Sequence, residues 1–290
     1  MSEDKKQVFL NDKLVESDKA YIPAADSGFL YGAGLFETMR SYGGAVFCLG
    51  DHLDRLFLSA EKLGINNTYE KDFIADAIYK TLGANKLSDG RLRLTLSSGS
   101  MSPVSDQQEP TLLISAVKLQ PYPPEYYKNG VLVVLCPYKQ NPYEPTCGHK
   151  TTSYFPRMAG LKFAHSARAA EALWFTVDNR LAEGCVSNVF LVKDSVLSTP
   201  RLDTPILPGV ARKTVCSIAK SQGIGLVEKD LYIDDVLGAD EIFLTNVVMQ
   251  IMPVSRVEKH TVGEGQVGPI VKKLQKGFEE FIKSECGQCK

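Results

Sequence analysis

A proline-rich segment near the middle of the chain, Gln120-Pro121-Tyr122-Pro123-Pro124, limits the folds that this sequence can adopt. Proline has no backbone N–H and restricts both its own φ angle and the conformation of the residue before it. A helix or a central strand is therefore not expected to run through this segment. The sequence predicts an N-terminal domain of residues 1–120, a linker of residues 121–130 and a C-terminal domain of residues 131–290.

Hydrophobic periodicity on both sides of the linker predicts an α+β fold, in which helices pack against strand-rich segments. Alternating or continuous apolar runs predict strands at 8–15 (two strands around a turn), before the Gly43-Gly44 turn, and at 91–96, 111–117, 131–135, 173–177, 188–193, 196–199 and 241–245. Apolar residues at helical spacing predict helices at 51–63, 72–82, 155–173, 233–237 and 269–282, and one that begins near Val210.

Composition narrows the class of protein. Hydrophobic residues make up 44% of the chain and charged residues 23%, as in ordinary globular domains. The formal net charge is −1, so the chain lacks the basic footprint of proteins that bind nucleic acid. No apolar run reaches the roughly 18 residues that a membrane-spanning helix requires. The charged N-terminus lacks the apolar core of a signal peptide, and a cytoplasmic location is expected.

The seven cysteines are scattered and odd in number, which indicates reduced thiols in place of a disulfide framework. Cys286 and Cys289 have the spacing of a metal or redox pair. No second pair completes a zinc site around them, so no metal is predicted and both are expected to lie in a C-terminal tail without a role.

Two residues stand out as candidates for chemistry. Lys150 lies among Thr151, Thr152 and Ser153; such a lysine is either a solvated surface residue or, if desolvated, a nucleophile. Glu183 lies among Ala, Gly, Cys and Val residues. It is either exposed in a turn or buried and paired. An amine and a carboxylate are what an aldehyde cofactor with a pyridine ring requires, the amine for the aldehyde and the carboxylate for the ring nitrogen.

A phosphate site is predicted by two weaker signals. Gly209 precedes a helix start, so the amides of Val210 and Ala211 could point at a phosphate. Arg55 lies three residues after His52 on one side of a predicted helix and would add a fixed positive charge. Many helices begin with Pro-Gly, and a helical arginine is more often a surface residue.

Together these residues resemble the class IV pyridoxal-phosphate aminotransferase family, also called fold type IV. The resemblance runs from about Val8 to the C-terminal helix. It rests on the motifs Asp26…Tyr31-Gly32-x-Gly34-x-Phe36-Glu37, Arg55, Lys150, Ala182-Glu183-Gly184-x-x-Ser187-Asn188 and Leu207-Pro208-Gly209-Val210-x-Arg212.

The resemblance implies a two-domain fold like that of D-amino acid aminotransferase, with pyridoxal 5'-phosphate in the cleft between a smaller N-terminal and a larger C-terminal domain. It implies a homodimer and a small-molecule amino substrate. By residue matching, the cofactor-binding residues are the Schiff-base lysine Lys150, the ring-nitrogen partner Glu183, the phosphate ligands Arg55, Val210 and Ala211, and also Tyr154 and Asn246. The matched substrate-binding residues are Tyr31, Phe36 and Arg93.

The family contains branched-chain aminotransferases, D-amino acid aminotransferases and aminodeoxychorismate lyases. Branched-chain enzymes have glycine where this chain has Thr38, whose hydroxyl is associated with proton movement in the lyases. The phosphate-binding threonine of the transaminases falls at Val247, and the lyases have asparagine at Asn246. The resemblance is therefore greatest to the lyases of folate biosynthesis, with Lys150, Glu183 and Thr38 as catalytic residues.

Arg91 and Arg93 alternate on a predicted strand and so face one side. Arg93 roughly matches a carboxylate-binding position of branched-chain aminotransferases, and it suits a chorismate-derived carboxylate equally well. A solvent-exposed arginine pair is the structural alternative. A non-catalytic binding protein of the same fold would be expected to lack Lys150 or Glu183, and both are present.

Overall fold

The computed structural model describes residues 6–100 and 109–287, which form two compact units. Unit 1 contains the described residues up to Gln120, the segment His149–Tyr154 and residues 284–287. Unit 2 contains Pro121–Gly148 and Phe155–Lys283. Lys150 therefore belongs to unit 1, although the sequence places it far beyond the proline-rich segment.

Unit 1 is built on an antiparallel sheet of six strands in its described residues, in the order β2-β1-β6-β5-β3-β4. The strands are β1 (Gln7–Leu10), β2 (Lys13–Glu16), β3 (Gly34–Tyr42), β4 (Ala45–Val46), β5 (Gly90–Ser97) and β6 (Thr111–Lys118). The helices are α1 (Ser27–Tyr31), α2 (Leu49–Leu63) and α3 (Lys71–Ala84). Alternate strand residues such as Met39, Leu92 and Ile114 pack against Leu56 of α2 and Ile78 of α3 to form the core.

Because strand residues alternate, the residues between those of the core lie on the opposite face of the sheet. Phe36, Thr38 and Arg40 alternate on β3, while Arg91 and Arg93 alternate on β5. Thr38 pairs with Arg93 and Arg40 with Arg91 across the two strands, so these side chains share one face.

The glycine-rich motif before β3 forms the short helix α1. Asp26 caps it by accepting hydrogen bonds from the amides of Gly28 and Phe29. The hydroxyls of Ser97 and Thr111 donate to the same carboxylate, which ties α1 to the sheet. No helix was predicted here from the sequence, because this helix is only five residues long and contains glycine.

Unit 2 is built on a mixed sheet of eight strands in its described residues, with the path β11-β10-β9-β12-β13-β7-β8 and β14 beside β13. The strands are β7 (Val131–Gln140), β8 (Glu171–Thr176), β9 (Asn188–Lys193), β10 (Val196–Thr199), β11 (Leu226–Glu228), β12 (Glu241–Asn246), β13 (Gln250–Val257) and β14 (His260–Thr261). The helices are α4 (Pro124–Asn129), α5 (Phe155–Ser166), α6 (Val210–Ser221), α7 (Ile233–Leu237) and α8 (Pro269–Cys286).

Several element boundaries differ from the sequence expectation. The expected linker contains α4, which begins at Pro124, a helix position where the missing N–H of proline costs nothing. Strand β7 runs through Pro137, because its pairing with β8 shifts register between Leu135 and Lys139. The helix predicted at 155–173 ends at Ser166, and β8 follows.

The C-terminal helix is longer than predicted, and it corrects the expectation of a tail. Cys286 is the last residue of α8 and is buried, whereas Cys289 lies outside the described residues. Over residues 6–100 and 109–287, no cluster of three or more His, Cys, Asp or Glu side chains suits a metal ion. In the same residues, no helix is both long and apolar enough to cross a bilayer.

Candidate active site

The segment that carries Lys150 is held against the first half of β3. The amide of Phe36 donates to the Lys150 carbonyl at 2.8 Å, and the amide of Thr152 donates to the Gly34 carbonyl at 2.8 Å. Gly34 is required for this approach, since a Cβ there would lie 2.8 Å from the Leu96 carbonyl oxygen and 3.1 Å from the Thr152 hydroxyl. Two motifs far apart in sequence are thus joined by backbone hydrogen bonds within unit 1.

Three of the predicted residues lie around the ring of a fourth, Phe36. The Lys150 Nζ lies 4.6 Å from the ring centroid, and the Arg93 Cζ lies 3.6 Å from it. The Tyr154 ring packs edge-on against Phe36 at 5.1 Å between centroids. Thr38 lies on the same strand face, and Tyr31, at the end of α1, is 68% exposed. Unit 1 therefore presents an amine, a guanidinium and a phenol on one aromatic side chain.

Arginines concentrate positive charge on this sheet face. Arg40 and Arg91 pair directly across β3 and β5, and Arg93 is two residues from Arg91. Burial lowers the pKa of Arg93, and the charge of Arg91 lowers it further. Like charges placed opposite each other on a sheet are unfavourable, and an anion bound between them would relieve the repulsion.

Arg55 lies in a buried network with Glu37 and His52. Its Nε donates to Glu37 Oε1 at 2.8 Å and its Nη2 to Glu37 Oε2 at 2.6 Å, while His52 Nδ1 lies 2.8 Å from Oε2. Burial would raise the pKa of Glu37, but Arg55 and His52 outweigh it and bring the pKa to about 2. Burial also lowers the pKa of His52. The sequence placed His52 and Arg55 on one side of α2 and missed Glu37 as their partner.

Glu183 is buried and paired, as one of the two sequence interpretations required. It lies between β8 and β9, and its backbone carbonyl accepts from the Trp174 amide. Its Oε1 accepts from Arg157 Nη2 at 2.5 Å, and its Oε2 accepts from the Leu207 amide at 2.9 Å. The side chain is 9% exposed, which rules out the exposed turn.

Arg157 is a site residue that the sequence did not reveal. It lies in the first turn of α5 and contacts Gln140, Glu183 and Gly184. These partners are 17, 26 and 27 residues away along the chain, so no local pattern marks the arginine.

The start of α6 has the features of a phosphate site. Gly209 caps the helix with no side-chain hydrogen bond, and the first-turn amides of Val210 and Ala211 have no acceptor within the helix. A Cβ at Gly209 would overlap Asn188 Oδ1, so glycine is required. The Asn188 amide donates to the Leu207 carbonyl at 2.9 Å, which links this turn to the residue that contacts Glu183.

Asn246 shapes the turn between β12 and β13. Its Nδ2 donates to the Val186 carbonyl at 3.0 Å, and its Oδ1 accepts from the amides of Val248 and Met249 at 2.9 and 2.8 Å. Unit 2 thus joins Glu183, the α6 start and Asn246 through the backbone of residues 183–188 and 207–209. The neighbouring Thr245 hydroxyl is buried and has no hydrogen-bond partner among the described residues.

A second buried carboxylate, that of Glu171, binds the backbone of the segment that follows Glu183. Glu171 accepts from the amides of Cys185 and Val186 at 2.7 and 3.2 Å. Burial raises the pKa of Glu171 to about 7 despite these hydrogen bonds. The segment after Glu183 is therefore anchored by a group that titrates near neutrality.

The sequence model of amino-transferase class IV matches residues 34–257, a range that includes Lys150, Glu183 and the start of α6. The chain belongs to the class IV aminotransferase family. Two curated relatives cover nearly its whole length. A Methanocaldococcus jannaschii protein, provisionally named a branched-chain-amino-acid aminotransferase, is 33% identical over 95% of this chain and 96% of its own. The aminodeoxychorismate lyase of Bacillus subtilis is 32% identical over 96% of this chain and 95% of its own.

A solved structure shows the same fold. The branched-chain amino acid aminotransferase of Escherichia coli superposes with a TM-score of 0.92, covering 98% of this chain and 97% of that one at 24% identity. This class IV aminotransferase has the α+β, two-domain fold type IV architecture expected from the sequence. It is a pyridoxal-phosphate-dependent enzyme, a transaminase or a lyase.

The residues of this class IV aminotransferase fit the cofactor. Unit 1 supplies a lysine amine beside aromatic rings and a buried arginine, and unit 2 supplies a buried carboxylate and uncapped helix amides. These groups match the aldehyde, phosphate and ring nitrogen of pyridoxal 5'-phosphate in chemistry and charge.

Proposed function

We propose that this enzyme is a 4-amino-4-deoxychorismate lyase, which releases 4-aminobenzoate and pyruvate. The observation that carries the proposal is the position of Thr38 on the arginine face of unit 1, where it shares one side of the sheet with Arg40, Arg91 and Arg93. The substrate has two carboxylates, and guanidinium groups bind carboxylates through paired hydrogen bonds.

Arg93 is the arginine that links this face to the reacting groups, because it and Lys150 contact the same Phe36 ring. Arg93 binds one carboxylate of the substrate, and Arg40 and Arg91 bind the other. The likeness to the Bacillus subtilis lyase, at 32% identity, supports the same reaction.

Bound pyridoxal phosphate supplies an electron sink for the carbon that bears the amine. Lys150 accepts the proton from that carbon and, together with the Thr38 hydroxyl, returns a proton to the departing enolpyruvyl group. Glu183 would accept a hydrogen bond from the protonated ring nitrogen and so keep it charged. Tyr154 would contact the phenolic oxygen of the cofactor, and Tyr31 and Phe36 would contact the substrate.

Arg55 and the amides of Val210 and Ala211 are the groups that would bind the phosphate. Asn246 contributes by fixing the turn after β12, where its side chain orients the amides of Val248 and Met249.

We also propose that the enzyme is a homodimer. Within unit 1, several large apolar side chains near α1 are exposed, namely Tyr21 (80%), Phe29 (77%), Leu30 (48%) and Tyr31 (68%). An exposed apolar group of this kind is typical of a protein interface. A second copy that covers it would also contact Tyr31.

Transamination is the second candidate, with a branched-chain or D-amino acid as substrate. The Methanocaldococcus jannaschii relative favours it. The arginine face also suits 2-oxoglutarate, a dicarboxylate amino acceptor.

The deciding experiment compares two incubations of the purified holoenzyme. One contains aminodeoxychorismate, and the other contains a panel of L- and D-amino acids with 2-oxoglutarate. Formation of 4-aminobenzoate is expected in the first. Formation of glutamate in the second without 4-aminobenzoate in the first would establish the transaminase instead.

Lysine variants provide the control for either reaction. Lys150→Ala should abolish product formation and the absorbance band of the lysine-bound cofactor. Lys162→Ala, which changes an exposed lysine of α5, should leave both intact. A persisting band in the Lys150 variant would contradict the role given to that residue.

A further inference from the structure

Arg157 holds Glu183 through a set of contacts that fixes both partners. Its Nη2 donates to Glu183 Oε1 at 2.5 Å and to Gln140 Oε1 at 3.0 Å, and its Nη1 donates to the Gly184 carbonyl at 3.2 Å. Its Cζ lies 4.6 Å from the centroid of the Trp174 ring. The Arg157 side chain is 16% exposed. A planar group with this many contacts has little freedom to rotate.

These contacts leave Glu183 with a defined orientation. Arg157 takes one carboxylate oxygen and the Leu207 amide takes the other. A carboxylate offers about four lone-pair sites in total, so sites remain for one further N–H donor. Their direction is set by Arg157 and by Leu207.

We propose that Arg157 is a positioning residue for Glu183: it orients the carboxylate that receives the ring nitrogen of pyridoxal phosphate. The inference rests on the role of Glu183 given under the proposed function. The alternative is an ion pair that only stabilises unit 2. The two roles make different predictions, because a positioning residue affects cofactor binding only while Glu183 is present.

The test is a double-mutant cycle on cofactor binding. Apoprotein is titrated with pyridoxal phosphate for the wild type, Arg157→Gln, Glu183→Gln and the double variant, and the absorbance maximum of the bound cofactor is recorded. Arg157→Gln should raise the dissociation constant about tenfold or more and shift the absorbance maximum, because hydrogen bonds to charged groups have this strength. In the Glu183→Gln variant the same substitution should raise the dissociation constant much less, since the two residues act on the cofactor as one unit.

Two further variants keep the test decisive. Arg157→Lys retains the charge but not the planar fork, so it should fold and give an intermediate dissociation constant. Arg180→Gln is the matched control, because Arg180 is 19% exposed and paired with Asp178 and Asp230 in the same unit. It should bind the cofactor like the wild type. Thermal unfolding of each apoprotein reports any loss of fold.

The outcomes separate the inference from the function that it builds on. The positioning role alone would be overturned if Arg157→Gln weakened cofactor binding equally in the wild type and in Glu183→Gln. It would also be overturned if Arg157→Gln bound the cofactor as tightly as Arg180→Gln does. Wild-type cofactor binding by Glu183→Gln would overturn the role of Glu183 and this inference with it. If Arg157→Gln does not fold, the same comparisons are made with Arg157→Lys.

Discussion

The Glu37 carboxylate holds the Arg55 guanidinium by two hydrogen bonds, Nε to Oε1 at 2.8 Å and Nη2 to Oε2 at 2.6 Å. Both side chains are almost fully buried, at 1% and 9% exposure. The arginine that we propose as a phosphate ligand is thus held in a fixed orientation within unit 1.

Glu37→Gln should destabilise the protein by about 3–5 kcal/mol at pH 7, because it leaves the buried Arg55 charge without a counterion. The carboxyl has a lowered folded pKa, so its contribution is complete above about pH 4.5 and is lost as the pH falls through about 2. Urea unfolding of the wild type and of Glu37→Gln, above about pH 4.5 and near about pH 2, measures the difference in the free energy of unfolding. Asp54→Asn, which removes the exposed partner of Lys71, should cost less than about 1 kcal/mol. Equal losses of stability in Glu37→Gln and Asp54→Asn would show that Glu37 is not the buried counterion of Arg55.

Arg91→Gln and Arg93→Gln should each raise the substrate KM about tenfold, because each removes a charged hydrogen-bond donor from the arginine face. The melting temperature should not fall for Arg91→Gln, since the substitution relieves repulsion from Arg40 across the strand pair. Steady-state kinetics and thermal unfolding provide the two measurements. Arg256→Gln, an exposed position on β13, is the control. An unchanged KM in both variants would exclude this face as the carboxylate site.

Glu171 should titrate with a midpoint at about pH 7 in the folded protein. Because its folded pKa lies above the ordinary 4.5, the native state binds its proton more tightly than the unfolded chain does. Its contribution to stability therefore falls as the pH rises from about 4.5 to about 7. The ¹³C shift of the side-chain carboxyl measures the midpoint, and the signal that disappears in Glu171→Gln identifies it. A midpoint near 4.5 would show that the group is not buried as described.

Gly209→Ala should cost about 1–3 kcal/mol of stability and weaken cofactor binding, because the new Cβ would overlap the Asn188 side chain at the start of α6. Gly50→Ala provides the contrast. Nothing lies within 4 Å of a Cβ there, and the position is helical, so about 1 kcal/mol of stabilisation is expected. Chemical denaturation of both variants checks the pair. Wild-type stability in Gly209→Ala would mean that the turn is looser than described.

The sequence predicted the elements with clear periodicity and missed those set by tertiary contacts. Helix α2 and strands β5, β6, β9 and β12 lie close to the predicted positions, because apolar spacing alone defines them. Helix α1 was not predicted, since it is stabilised by the Asp26 cap, whose carboxylate accepts hydrogen bonds from hydroxyls on β5 and β6. The extension of β7 through Pro137 depends on a register shift that only the pairing with β8 reveals.

The site shows the same limit. Lys150, Glu183, Arg55 and the start of α6 were predicted as site residues because they belong to recognisable motifs. Their partners were not. Arg157 lies 26 residues from Glu183, and Glu37 lies 18 residues from Arg55, so neither pair leaves a local pattern. Side chains that are proposed to contact the ligand directly were thus easier to find in the sequence than the buried side chains that pair with them.

The pairing of His149–Tyr154 with β3 has a consequence for how this protein can be divided. A fragment that stops at Gln120 would contain every strand of the first sheet and still lack the amine, because that residue is delivered by a stretch encoded beyond the second unit's opening strand. A break in the chain between the two units would therefore separate Lys150 from the strand to which its segment is hydrogen-bonded.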